Sequence, residues 1–411
     1  MEQHPRVVGT SSFVKQHFES PELSFDLDDG VLTPYREKNA SLERVAPVRL
    51  VYAAAHLVMH DEYAQVDQRL SQAVAPEEIA PHIDWDSTLD LRRRLDRLGF
   101  GIAEAMDTAQ RFQIGWKNAG RLIEGCGKLD LDHGFVAGAG VDHLSSVSNE
   151  DQLVAGVVYQ AQFIRDQGGI PILLPLVWLC EQEYDEAGYV RVYGRIVEAL
   201  EGPLFLHWLG EMFLPALAGY FPGDSFQRIM AHCPEKLRGA KLSLLDADLE
   251  RRLRAELLLR DQILLTGDDF NFAGLMCGGP VTGHTTVGNL QVPTGEFSHG
   301  LLGIFDAIAE PASLALQFLA RGDTATYGEL MEPCERLGQH LFRTPTRHYK
   351  AGLAFLAWLN GWQPNAMLVQ HEELSRARSH YFEAARLASA AGVISDSAGA
   401  LRKLGKLLKT Q

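Results

Sequence analysis

The chain has 411 residues, 46% of them hydrophobic and 22% charged, with a formal net charge of −15. That is the composition of an ordinary globular protein, long enough for one large core or for a barrel with appendages. The acidic balance argues against a phosphate-backbone partner, and no apolar run reaches the roughly 18 residues of a membrane span, so neither nucleic acid nor membrane is expected as a partner. The opening MEQHPRVVGTSS lacks the apolar core of a secretory signal. Five widely spaced cysteines, Cys126, Cys180, Cys233, Cys277 and Cys334, form no C-x-x-C pair. A reduced, cytoplasmic protein is therefore expected, with neither a disulfide framework nor a zinc ribbon.

Residues 1–46 are polar and weakly periodic, with a turn at Asp28-Asp29-Gly30, and read as an N-terminal arm. A compact apolar run, PVRLVYAAAH (47–56), has the length of a buried strand, β1, and exits at His56. Residues 61–82 read as an inserted helical excursion. From Asp84 onward a repeating plan sets in. Asp86 or Ser87 is placed to cap a helix that stops at Gly99, and FGIAEAMDT (100–108) follows as β2. Helices over 113–127, 149–166, 187–200, 224–233 and 247–257 then alternate with β3 (134–143), β4 (170–178), β5 (202–208), β6 (237–243) and β7 (262–269). A final strand, β8 (297–304), comes after a long Gly-rich connection, 277–295, which reads as a lid or an adornment. Eight continuous apolar strands alternating with helices predict an α/β fold, a closed (β/α)8 barrel over 47–310, with C-terminal helices over 311–411 packed on it. The basic amphipathic tail LRKLGKLLK reads as a solvated terminal helix or as a contact for an anionic partner.

Such barrels carry their chemistry at the C-terminal strand ends. The polar residues assigned there are His56, Asp107, Thr108, Asp142, His143, His207, Lys241, Ser243, Asp268, Asp269, Ser298 and His299, together with Trp178. Lys241, in the middle of GAKLSLLD, stands out. An ammonium is costly to desolvate, so a lysine inside a core strand needs an ion pair or a reason to be neutral. Burial lowers its pKa and frees amine to attack a carbonyl. The other reading is a lysine salt-bridged to Asp268 or Asp269. His207, one strand away, has the ring chemistry for proton transfer near neutral pH, or is a core histidine satisfied by backbone. Asp107, Thr108, Ser243, Asp268, Asp269 and His299 are the candidate substrate contacts, with helix capping as the alternative for the Asp268-Asp269 pair.

The run GAKLSLLD, followed about twenty residues later by LTGDDF, resembles the β6–β7 region of the dihydrodipicolinate synthase / N-acetylneuraminate lyase superfamily of class I aldolases. KLSLLDA, GDDFN, HGLLGIFDAIA and PTRHYKAGLAFLAWLNG extend the likeness to a branch labelled "dihydrodipicolinate synthase family protein", over roughly residues 47–395. The resemblance implies that Lys241 is the imine-forming lysine, that no cofactor is needed, and that the protein assembles as a homodimer or homotetramer. The superfamily's Tyr-Asn-x-Pro slot on β5 reads His207-Trp208-Leu209-Gly210, so its tyrosine is absent, and its Thr-Thr slot reads Asp107-Thr108. A carboxylate at Asp107 repels that of pyruvate.

The expectation is a Schiff-base lyase or aldolase acting on a small carbonyl compound. A neutral polyhydroxylated one, such as a keto-sugar or keto-inositol derivative, suits the mouth better than dihydrodipicolinate synthesis does. Two alternatives stand beside it. One is a barrel isomerase or lyase using a divalent metal held by some of His56, Asp107, His143, His207, Asp268 and His299. The other is a non-catalytic ligand-binding barrel.

Overall fold

The computed structural model describes residues 15–409, so the start of the arm (1–14) and the last two residues of the tail (410–411) lie outside the described residues. The eight strands form as expected, most of them in shorter segments. They are β1 Val51–Ala54, β2 Gly101–Glu104, β3 Phe135–Ala139, β4 Ile170–Leu173, β5 Leu204–Leu209, β6 Leu237–Ser243, β7 Ile263–Thr266 and β8 His299–Leu302. All neighbours pair in parallel, and β8 pairs with both β7 and β1, which closes the barrel. The interior is filled by side chains from successive strands, among them Tyr52, Ala103, Val136, Ile172, Phe205, Leu265 and Leu301. The opposite strand faces join a separate, larger core with the surrounding helices. Burial on both faces is why the strands read as unbroken apolar runs.

Several boundaries differ from expectation for local reasons. The helix Trp85–Arg97 is capped by Asp84, whose carboxylate accepts from Ser87 N–H at 3.0 Å, rather than by Asp86 or Ser87. Trp178 lies in a short helix, Val177–Glu181, and not at a strand end; its indole N–H donates to the Val147 carbonyl. The excursion 61–82 holds only a 3-10 turn, Asp61–Gln65, and one short helical turn, Pro76–Ile79, with a second 3-10 turn behind it. Helix Phe305–Ala320 packs back on β1 as the eighth barrel helix, so the barrel runs to residue 320 and not 310. The arm is a hairpin, Lys15–Glu19 with Ser24–Asp28, followed by helix Thr33–Ala40. It joins the C-terminal helices: the Phe18 and Phe382 rings lie 5.1 Å apart, and the Asp28 N–H donates to Ser389 Oγ. The tail forms helix Ser397–Lys409, which buries Ala400 and Leu404. No helix among the described residues is long and apolar enough to cross a membrane.

The connection 277–295 is neither a lid nor a surface adornment. The short helix Phe272–Cys277 returns the chain to the N-terminal end of the barrel, where Val281–Val287 and Leu290–Gly295 pair as an antiparallel hairpin. Val287 and Val292 enter the interior cluster of the barrel, so the hairpin plugs the end opposite the mouth.

Candidate functional site

A recess opens at the C-terminal ends of the strands. Strand alternation points Lys241 and Ser243 of β6 and His207 of β5 into it, because residues two apart share a face. His207 and Lys241 are direct neighbours in the parallel register. Room for the lysine comes from Gly267, just beyond β7: a methyl group there would stand 2.8 Å from Lys241 Cε and would overlap Ser243 Oγ.

Lys241 is 9% exposed. Its Nζ makes no hydrogen bond, and no carboxylate lies within the 4.0 Å of an ion pair, among the described residues. The salt-bridged alternative is therefore not what the structure contains. Burial pushes the amine down to about 8, against the opposing pull of Asp269 and Asp107. Burial likewise pushes Asp269 up to about 7, although its Oδ1 accepts the Ile304 N–H at 3.0 Å and Lys241 acts the other way. His207 is held well below the ordinary imidazole range, first by burial and then by Lys241, so the ring is neutral rather than poised near neutrality. Its Nε2 lies 3.3 Å from Ser243 Oγ, while Nδ1 is buried without a partner.

Asp107 sits on a turn after β2, and its Oδ2 is 3.1 Å from Lys350 Nζ. Lys350 also donates to the Arg347 carbonyl and lies 3.7 Å from Glu372. Thr108 Oγ1 is 2.7 Å from Tyr349 Oη, and the Tyr349 ring stacks on Phe342 with centroids 4.2 Å apart. Burial, then Asp107, holds the Tyr349 phenol well above its usual range. Met106, Leu174, Val177, Leu209, Phe213 and Leu214 form an apolar wall of the recess.

Not every expected residue is here. Asp268 turns away: its carboxylate accepts the Phe270 and Asn271 N–H groups and the Asn271 side-chain amide, the local capping role that the sequence left open. His299 is a clear correction. It begins β8, at the plugged end of the barrel, where Nδ1 accepts the Leu50 N–H and Nε2 meets the Pro293 carbonyl. Ser298 donates to Glu250 behind the strand. His56 is buried between Asp306 and Gln363, and Asp142 is engaged by Arg111. The proposed metal ligands are thus dispersed, and no group of three or more His, Cys, Asp or Glu among the described residues is arranged to hold a metal ion.

Sequence reasoning missed Tyr349, Lys350, Phe342 and Arg111. A signal for one of them was present. In PTRHYKAGLAFLAWL, a lysine opens a strongly apolar helix, Lys350–Leu359, and is 2% exposed, the same anomaly that marked Lys241.

The barrel, with an inward lysine on its sixth strand, has the fold of the dihydrodipicolinate synthase / N-acetylneuraminate lyase superfamily. Dihydrodipicolinate synthase from Bacillus clausii superposes with a TM-score of 0.59 at 11% identity, covering 82% of this chain and 97% of its own. N-acetylneuraminate lyase from Fusobacterium nucleatum does so with a TM-score of 0.53 at 14% identity, covering 83% and 98%. A prophage protein of the dihydrodipicolinic acid synthase family from E. coli K12, solved in complex with pyruvate, gives 0.53 at 11% identity, covering 84% and 99%. Identities this low speak to the fold. By its sequence profile the chain belongs to the family described as "Protein of unknown function (DUF993)", which matches residues 25–411. No curated protein matches it.

Proposed function

We propose that the protein is a Schiff-base-forming lyase or aldolase of the class I type, acting on a small carbonyl compound. The observation that carries this reading is the state of Lys241: buried, unpaired, pushed down to about 8 and facing the recess. A neutral amine there adds to a substrate carbonyl carbon, and the carbonyl oxygen leaves as water once it has taken up two protons. The resulting iminium draws electrons from the bond one carbon away, which is the bond an aldolase breaks or forms. Proton transfer falls to groups already at hand. Neutral His207 has one unprotonated ring nitrogen, and Asp269, pushed up to about 7, exchanges a proton near neutral pH. Tyr349, hydrogen-bonded to Thr108, offers a phenol where the resemblance on β5 offers none. Solved neighbours that include a lyase and a pyruvate complex agree with the reading. Dihydrodipicolinate synthesis is not the reaction we propose, because two carboxylates, Asp107 and Asp269, line the recess.

Borohydride reduction in the presence of a panel of three- to six-carbon aldehydes and ketones tests this. The expected result is a covalent adduct on the peptide carrying Lys241, absent from Lys241→Ala. A protein that turns over a carbonyl substrate, is never trapped, and keeps full activity as Lys241→Ala would end the proposal.

A further inference from the structure

Apart from Lys241 itself, the cations around the recess are already spoken for. Arg111 lines it, yet all five guanidinium N–H groups have acceptors: Nε and one terminal N–H on Asp142, another on Gln160, and two on the Ala105 and Gly138 carbonyls. Lys350 is engaged by Asp107, Glu372 and the Arg347 carbonyl. Barrels commonly bind an anionic substrate group at the helix that follows the eighth strand. Here helix Phe305–Ala320 starts at that place, and the Ile304 N–H before it is taken by the carboxylate of Asp269. The protein's own carboxylate thus takes a backbone N–H donor at this helix start, leaving it unavailable to a substrate anion.

What remains open to a ligand is of the other kind. Asp107 has one carboxylate oxygen not used by Lys350, with the Tyr349 phenol close by, and Asp269 has one not used by Ile304. Carboxylate oxygens accept hydrogen bonds and repel anions. Resting on the imine reading of Lys241, we propose that the recess selects an uncharged hydroxycarbonyl compound against 2-oxo acids and phosphorylated carbonyls. The substrate hydroxyl donates to Asp107 or Asp269, and the carbon chain lies on the apolar wall of Met106, Leu174 and Leu209.

Hydroxyacetone and pyruvate test this directly, since they differ by a hydroxymethyl against a carboxylate on the same methyl ketone. Each is reduced onto the intact protein with cyanoborohydride at pH 8, where the hydride converts the iminium to a stable secondary amine. The adduct on Lys241 is followed by peptide mass spectrometry, and each rate is divided by that with Nα-acetyl-lysine to remove intrinsic carbonyl reactivity. Hydroxyacetone is expected to be favoured by about tenfold or more, the scale of one unfavourable charge contact in a desolvated site. Asp269→Asn should shrink that ratio several-fold. It also changes the free-amine fraction of Lys241, but equally for both compounds. Equal or faster normalised trapping of pyruvate overturns the selectivity and leaves the imine standing. Adducts with neither compound on Lys241, with surface lysines labelled as usual, overturn the imine reading and the selectivity together.

Discussion

Lys241 should titrate as a buried amine, and its reactivity measures how far burial has moved it. Nζ is pushed from 10.5 to about 8. At pH 7 about one amine in ten is then free, against about one in 3,000 for an ordinary lysine, a gain of ~300-fold. Competitive acetylation with trace acetic anhydride between pH 6 and 11, read peptide by peptide, should show half-maximal reactivity of Lys241 near pH 8 and of surface lysines at about pH 10.5. Asp269 raises the Lys241 value, so Asp269→Asn should move the midpoint further down. The same shift bears on stability. The folded state binds the proton more weakly than the unfolded chain, so Lys241 disfavours folding below about pH 8, and this penalty is relieved as pH rises from about 8 to 10.5. Lys241→Met removes a penalty of up to about 3 kcal/mol at pH 7 and should raise the urea midpoint there, with a smaller gain at pH 10. A midpoint near 10.5, or one that rises in Asp269→Asn, would refute the account of a desolvated amine.

Three further outcomes follow from individual contacts in the structure. Gly267→Ala puts a methyl 2.8 Å from Lys241 Cε and onto Ser243 Oγ, so it should cost about 1–3 kcal/mol and abolish Lys241 trapping while leaving the circular dichroism unchanged; normal trapping would show that the close approach does not matter. Tyr349→Phe loses the 2.7 Å bond to Thr108, which should cost roughly 1 kcal/mol of stability, and should slow turnover by ~10²-fold with trapping retained if the phenol carries a proton. Arg92 and Glu104 form a fully buried pair at 2.8 Å, and Arg92 also donates to the His56 carbonyl. Arg92→Met leaves Glu104 without its partner and should destabilise by about 3–5 kcal/mol in urea melts, far more than the exposed Arg251–Asp248 pair does when broken.

Much of the recess was legible because parallel strands buried on both sides are continuous apolar runs, and a charged residue inside one is conspicuous. Lys241 was found that way and His207 by its place at the end of β5, and both face the recess. Asp268 and Asp269 could not be separated, since adjacent carboxylates in a turn look alike until the backbone sends one to the Phe270 and Asn271 amides and the other to the recess. His299 was assigned to the wrong end of the barrel. A strand has the same composition read from either end, and only the short return helix Phe272–Cys277 and the hairpin behind it show that His299 begins β8.

The sequence alone determined the barrel, its eight units and the lysine, because these depend on periodicity and on the cost of burying charge, both local properties. Tertiary structure decided the rest of the site. Tyr349 and Lys350 are more than 200 residues from Thr108 and Asp107, and no periodicity links them. Only the folding of the C-terminal segment over the mouth brings a phenol to Thr108, a cation to Asp107 and an apolar cover to the recess. The charge balance that a substrate meets is therefore set by contacts between distant segments, which neither segment encodes by itself.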